Sequence, residues 1–405
     1  MATLPDDVLD ALVRSEVGSS YQCTRVEMDH FSPLTVAIEC AQHQVPKPLV
    51  VYKVTGGPPR SSSLPGLDPA PIIWSESESG MTTALARLLD TGSLARVVLG
   101  RASEALCLKI LADFATDRGF TKAPRRLRAV ADGLGVNGFI LAPTFQEEHQ
   151  RDLTEQRMTA GLFGVLHEAG HVYFMNSSHR VLTDAELEAQ IDAASAEQPT
   201  VRIRKALDPE HLHEEICADV ACITWLWSTT KNVMPPLTGK EADPIRFILA
   251  AASTFQAFAI LNLCGQVAED CASDKGFAND LDWFALRVGF QVRSTIVVDL
   301  AAKLAVQELG EEMAVRQVLN IALPQLGRRW TEVLTGFERA RYEAYDPERS
   351  TMSPDALREP VREDLAENDA SPGHPNREQR PGMLQRAWRA THEGRRRSRP
   401  GQTTP

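Results

Sequence analysis

The segment "GLFGVLHEAGHVYFM" (161–175) combines an apolar helical pattern with two histidines four positions apart and a glutamate after the first. Positions i and i+4 of an α-helix lie on one face, so His167 and His171 can direct their imidazoles at one ion. Glu168 lies on an adjacent edge of the same helix, beside such an ion without binding it. Zinc bound there would acidify a water molecule, and the carboxylate could take its proton. The spacing therefore predicts a metal site suited to hydrolysis.

The alternative to a metal site is an ordinary buried helix whose histidines form hydrogen bonds in the core. A five-residue pattern also arises by chance, so the motif by itself leaves both interpretations open. A catalytic zinc site with two histidines needs a third protein ligand, and this requirement can separate the two interpretations.

A second segment, "DPEHLHEEICADVACITWLW" (208–227), offers that third ligand. The segment predicts a helix with an apolar stripe, and Glu215 and Asp219 share one face beside the stripe. One carboxylate can complete a His/His/Glu site, and the other can accept the free N–H of a metal-binding histidine. Without the upstream histidines, this charged pair would simply predict a solvated surface.

Together the two segments resemble the gluzincin zinc metallopeptidases, in which H-E-x-x-H is followed downstream by E-x-x-A-D. "HEAGH" (167–171) and "EICAD" (215–219) match both patterns. The resemblance implies a zincin-like core and a peptidase that binds Zn²⁺. The residues that match the family's roles are His167, His171 and Glu215 as zinc ligands, Glu168 as general base and Asp219 as the partner of a zinc-binding histidine.

Around the zinc, the resemblance implies three further features. Asp219 is expected beside His167, and a strand along the substrate cleft is expected at "NGFILA" (137–142). A donor that stabilises the oxyanion is also expected, and the choice among the nearby side chains stays open. Tyr173 should point away from the zinc ligands, and His211 and His213, both on the second helix, should be exposed. The candidate donors are Tyr173, His179, His211 and His213.

Two other families that share the first motif fit the sequence less well. A metzincin would carry H-E-x-x-H-x-x-G-x-x-H, but Phe174 stands where the glycine belongs. His179 lies eight residues beyond His171 instead of six. The ATP-driven membrane proteases also use H-E-A-G-H, but they need a phosphate-binding loop of the form G-x-x-x-x-G-K-S/T, and the sequence contains none.

Composition narrows the classes of protein that remain. A net charge of -11 argues against a nucleic-acid-binding protein, because neutralising phosphates requires an excess of basic residues. The seven cysteines are scattered and form no C-x-x-C pair, and the first residues lack the apolar core of a signal peptide. We therefore expect a protein of the cytoplasm without disulfides.

One uncharged segment, "FILAAASTFQAFAILNLCGQVA" (247–268), is long enough to span a bilayer. Polar residues are spread through it and no basic cluster flanks it, which favours a buried core helix over a membrane span. A membrane-anchored protease that uses this segment remains the alternative.

The sequence predicts an α+β protein that is mainly helical, in three parts. Residues 1–80 form a small mixed α/β region, and residues 81–345 form the helical, zincin-like metallopeptidase domain. Residues 346–405 are rich in proline and charge and predict a disordered tail. The basic end of that tail, which contains Trp388, is either solvated or a docking peptide for an acidic protein partner.

Local signals give the expected elements. β-branched runs predict strands at 34–40, 48–54, 71–74 and 137–143. A stretch rich in Pro, Gly and Ser (55–71) predicts a loop. Capping signals predict helices that begin after Asp152, Thr183, Asp208 and Asp243, and helices should continue to about Tyr345.

The sequence thus predicts a zinc-dependent peptidase that acts on a peptide or protein substrate, with Glu168 as general base. The alternative from another class is a regulatory or binding protein with a structural or vestigial zinc site. The intact Glu168 argues against that alternative, because a purely structural site has no use for a base.

Overall fold

The fold is mainly helical with one small mixed sheet, which confirms the expected α+β class. The computed structural model describes residues 4–18, 21–28, 31–55, 61–90, 122–133, 154–175, 180–195, 207–272 and 280–309, with isolated positions between 109 and 116.

The described helices are α1 (Asp6–Val17), α2 (Pro33–Gln42), α3 (Glu76–Asp90), α4 (Lys122–Gly133), α5 (Thr154–Met175), α6 (Asp184–Ala194), α7 (Pro209–Thr238), α8 (Pro244–Ala272) and α9 (Asp280–Leu309). The strands are β1 (Gln22–Arg25), β2 (Leu49–Thr55), β3 (Ser62–Ser63) and β4 (Ala70–Ser75).

The sheet has the order β1-β2-β4-β3. Its two central strands, β2 and β4, are parallel, and β1 and β3 are antiparallel to their neighbours at the two edges. The strands expected at 48–54 and 71–74 are confirmed, since β2 and β4 cover them. Both strands carry buried β-branched side chains, which suits a half-buried pleated surface.

The strand expected at 34–40 is wrong, because this segment lies in helix α2. Ser32 caps the helix by accepting the backbone N–H of Thr35 at 3.1 Å, and Pro33 occupies the first turn. This start signal outweighs the β-branched composition, whose cost within a helix is well under about 1 kcal/mol per residue. The residues that α2 buries are Thr35, Ala37, Ile38 and Ala41.

The loop expected at 55–71 is wrong at residues 62–63, which form β3, and at its ends, where Thr55 belongs to β2 and Ala70 and Pro71 belong to β4. Ser62 pairs with Ile73 and Ser63 with Ile72, antiparallel to β4. Serines have little intrinsic tendency to form strands, and it is pairing with β4 that defines this short strand.

Three of the expected helix starts are confirmed. Thr183 and Glu186 form a reciprocal capping box at the start of α6. Asp208 accepts the N–H of His211 at the start of α7, and Asp243 accepts the N–H of Ile245 at 2.9 Å at the start of α8. Other predictions concern Asp152, the strand at 137–143, His179 and the tail 346–405, all of which lie outside the described residues.

Helix α5, which carries the HEAGH motif, is a central element of the core. It contacts α2, α3, α7, α8 and strands β3 and β4. Phe163, Val165 and Leu166 are fully buried along it. The motif therefore lies inside the fold, and its polar side chains need partners from the neighbouring elements.

Helix α8 contains the apolar segment and packs on α3, α5 and α9. Within the described part of the chain, Pro244–Leu263 is long and apolar enough to cross a membrane, with a mean hydropathy of 1.5, and 72% of that window is buried. A helix in the core of a globular protein can be equally long and apolar, and the burial of this window fits such a helix. Among its buried polar side chains, Ser253 and Thr254 have no exposed area.

At Gly170, the backbone of α5 lies directly against the backbone of α7. A Cβ placed there would lie 2.7 Å from the carbonyl oxygen of Ala218 and 2.8 Å from its Cα. Both of these neighbours are backbone atoms, so no side-chain rotation could relieve the clash. Only glycine permits this distance between the two helices.

We expect Gly170→Ala to lower the free energy of unfolding by about 1–3 kcal/mol, as other overpacking substitutions do. The clash should outweigh the gain of up to about 1 kcal/mol in helix propensity. Urea unfolding of the metal-free protein measures this change.

Gly80→Ala is the matched control, because Gly80 is also helical and no atom lies within 4 Å of the added Cβ. That variant should be as stable as the wild type or slightly more so. Equal stability of the two variants would contradict the close contact at Gly170.

Candidate metal centre

Two helices bring the expected ligands together. His167 and His171 lie one turn apart on α5, and Glu215 faces them from α7. Nε2 of His167 is 3.3 Å from Oε2 of Glu215, and Nε2 of His171 is 3.4 Å from Oε1. Both imidazoles therefore direct the same nitrogen at one carboxylate.

These three side chains could hold a metal ion, since their ligand atoms all lie within 4.8 Å of one another. Tetrahedral zinc with bonds of about 2.0–2.1 Å has about 3.3 Å between neighbouring ligand atoms. Each imidazole nitrogen lies at about that distance from an oxygen of Glu215, His167 from Oε2 and His171 from Oε1, so a small closure of the three groups would let them bind one ion. The donor set, two neutral imidazoles and one carboxylate, is also a common one for catalytic zinc.

Asp219 lies behind His167, as expected. Its Oδ1 is 3.0 Å from Nδ1 of His167, on the far side of the ring from Glu215. The ring of Phe163 is stacked on the imidazole, with 5.9 Å between the ring centroids. The aspartate and the stacked ring fix the orientation of His167, so that Nε2 is the nitrogen presented to an ion.

The sequence analysis missed Arg293 on α9. Its Nε and Nη2 donate to the two oxygens of Asp219 at 2.7 and 2.9 Å, and Nη1 lies 3.0 Å from Oε2 of Glu215. A signal was present, because an arginine inside the apolar run "VGFQVRSTIVV" (288–298) needs a buried carboxylate. Its guanidinium also lies over the rings of Phe255, Phe258 and Phe290.

Charges at this site perturb one another strongly. Burial lowers the pKa of His167, but hydrogen bonding and charge from Asp219 and Glu215 outweigh it and raise the pKa to about 10. Burial raises the pKa of Glu215, but Arg293 and His171 hold it well below the usual value. Glu215 is thus ionised, and His167 must release a proton before it can bind a cation.

Glu168, the expected base, directly follows His167 in α5 and is half-buried. It accepts a hydrogen bond from the hydroxyl of Ser63, with 2.7 Å between Oγ and Oε2. No pattern in the sequence predicted this contact, since Ser63 belongs to the stretch expected to be a loop. The sheet therefore reaches the HEAGH helix through an edge strand.

Among the described candidates for the oxyanion donor, His211 approaches the ligands. Its Nε2 is 3.6 Å from Oε1 of Glu215, and burial is the main cause that lowers the pKa of His211 to about 4. The expected exposure is wrong for both His211 and His213, which are half-buried. The ring of Tyr173 contacts the rings of Phe174 and Trp225, with 4.7 and 6.0 Å between the centroids.

No protein-family model, curated protein or solved structure matches this chain. The resemblance to gluzincins therefore depends on the two motifs, and the candidate site depends on the geometry of its own side chains.

We expect Arg293→Met to destabilise the metal-free protein by about 3–5 kcal/mol, because it leaves two buried carboxylates without their cation. Methionine fills a similar length of space, so the loss of charge should dominate over a cavity. Urea unfolding in the presence of a chelator measures the change.

Lys303→Met, on the same helix, is the control. Lys303 pairs with Asp299, and both side chains are more than half exposed. Its loss should change the free energy of unfolding by less than about 1 kcal/mol. If the two variants lost similar amounts, the buried ion pair would not be the source of the stability.

Proposed function

We propose that the protein is a zinc-dependent peptidase with a zincin-like core, which hydrolyses peptide bonds in a peptide or protein substrate. His167, His171 and Glu215 bind Zn²⁺ and Glu168 is the general base. The observation that carries the proposal is the convergence of both Nε2 atoms on Glu215, at 3.3 and 3.4 Å. Glu168, the expected base, occupies the position after His167 on helix α5.

When bound, zinc lowers the pKa of a coordinated water to about 7 and polarises a carbonyl oxygen. Glu168 takes the proton of the attacking water and delivers it to the departing amine. Asp219 holds His167 in the tautomer whose Nε2 faces the ligand position, and Arg293 keeps the carboxylates of Asp219 and Glu215 in place. His211, which burial keeps neutral, can donate an N–H at the edge of the site.

A structural zinc site in a binding or regulatory protein is the second candidate, and His211 is the observation that favours it. Structural zinc takes four protein ligands. His211 Nε2 lies 3.6 Å from Oε1 of Glu215, near enough to suggest that it could become the fourth. In a peptidase, the three other residues would hold the zinc and the fourth position would be left for water.

A membrane-anchored protease is less well supported. It would place α8 in lipid, where unpaired polar side chains are costly. Instead, Ser253, Thr254 and Gln256 are buried against the rest of the fold. This packing supports a peptidase that works without a membrane anchor. Its location in the cytoplasm is proposed from the sequence composition.

We expect purified protein to bind close to one zinc ion per chain. His167→Ala and His171→Ala should abolish tight binding, and Glu215→Gln should weaken it, because a neutral amide is a poor zinc ligand. Metal analysis and competition with a chromogenic chelator measure stoichiometry and affinity. Zinc held as tightly by the double variant His167→Ala, His171→Ala would show that the ion lies elsewhere.

His211→Ala separates the two candidate functions in the same experiment. The peptidase should retain its zinc in this variant, whereas a structural site would lose a ligand and bind zinc much more weakly. His213→Ala is the control for a half-buried histidine two residues away.

We expect Glu168→Gln to retain zinc and to lose hydrolysis by at least about a hundredfold, the usual scale of general-base catalysis. A peptide library derived from a proteome, incubated with zinc-loaded wild type and variant, measures this by mass spectrometry. Equal cleavage of the same peptides by both proteins would mean that this site is not the catalyst.

A further inference from the structure

One face of helix α5 is shaped to accept the segment that contains β3. Gly161, Gly164 and Glu168 follow one another at three- and four-residue intervals and lie on that face. A Cβ on Gly164 would lie 3.0 Å from Oγ of Ser61 and 3.2 Å from Oε2 of Glu78. The glycine thus lets the serine segment lie against the helix, one turn before Glu168.

Hydrogen bonds fix this segment in its position. The backbone N–H of Ser61 donates to Oε2 of Glu78 at 2.6 Å, and Oγ of Ser61 accepts from the N–H of Ser75 at 3.2 Å. Glu78 is buried, and Ser79 on the same helix donates to the carbonyl of Gly161 at 3.1 Å. The segment is therefore tied to α3, to β4 and, through both, to α5.

Ser63 is held within this framework and reaches Glu168. Its backbone pairs with Ile72 of β4, and its side chain has 0% exposure. The hydroxyl donates to Oε2 of Glu168 at 2.7 Å across 105 residues of sequence. The donor is thus more rigid than the half-buried glutamate that it contacts.

A glutamate side chain has three rotatable bonds, and a free one would sample several positions around a bound water. A hydroxyl that donates to one carboxylate oxygen holds that oxygen in place and so restricts the orientation of the whole group. The other oxygen, Oε1, is left to accept a proton. Holding a base in its working orientation increases the rate of the chemical step without increasing the affinity for the substrate.

We propose that Ser63 is a positioning residue for catalysis, which orients the carboxylate of Glu168 toward the water that it deprotonates. The sheet formed by the first part of the chain is then a component of the active site and not a separate module. This inference rests on the proposed function, because it assigns Glu168 the role of the base.

Kinetics of zinc-loaded, full-length protein test the proposal. The substrate is the library peptide that wild type cleaves most efficiently, synthesised with a fluorophore and quencher. Ser63→Ala should lower kcat by about tenfold or more with KM unchanged and one zinc per chain, because misplacing a base slows only the chemical step. Ser62→Ala is the matched control, since adjacent strand residues point to opposite faces, and it should retain the wild-type kcat.

Wild-type kcat in Ser63→Ala would overturn the inference. So would a loss of activity that matches a loss of zinc, because kcat per bound zinc would then be unchanged.

Unfolding of metal-free protein tests the contact without any activity. The variants of a double-mutant cycle are Ser63→Ala, Glu168→Ala and the double variant. The unfolding equilibrium constant of the double variant should differ by about tenfold from the value that the two single effects predict together, as expected for a hydrogen bond to a charged group. Additive effects would overturn the inference. A third outcome separates this inference from the proposed function. If the cycle shows coupling but the zinc-loaded wild type cleaves no peptide, the proposed function is overturned and the contact is only a structural link.

Discussion

The close contact between α5 and α7 is the constraint on which the candidate site depends. Gly170 allows the backbone of Ala218 to approach so closely that a single Cβ would lie 2.7 Å from its carbonyl oxygen. His171 is the next residue on one helix, and Asp219 is the next on the other. The helix spacing therefore sets the distance between histidine nitrogens and carboxylate oxygens, and a larger residue at position 170 would separate the groups that could bind one ion.

Bringing these groups together concentrates negative charge, and the guanidinium of Arg293 lies between the two carboxylates and contacts both. Two carboxylates in a buried site repel one another and are costly to desolvate. A bidentate contact from Arg293 to Asp219 and a third contact to Glu215 offset part of that charge. The candidate site is thus assembled by contacts among its own side chains, which would reduce the reorganisation that binding an ion requires.

The site draws on distant parts of the chain for its supporting contacts. Ser63 comes from an edge strand 105 residues before Glu168, and Arg293 follows Asp219 by 74 residues. Neither residue belongs to a recognisable motif, and a serine in a loop-like stretch carries no pattern that could have predicted its contact. The division of the chain at residue 80 stays a prediction, although a residue from before that boundary contacts the expected base.

The sequence by itself determined the features that depend on local spacing. The period of the helix places the two histidines on one face of α5, and the glutamate and aspartate on one face of α7. Capping patterns predicted where α6, α7 and α8 begin. Tertiary structure alone decided that the two helices meet face to face, that Arg293 and His211 lie beside the candidate ligands, and that Ser63 contacts Glu168. These outcomes depend on close packing between segments far apart in sequence, and local propensity contains no information about which surfaces will meet.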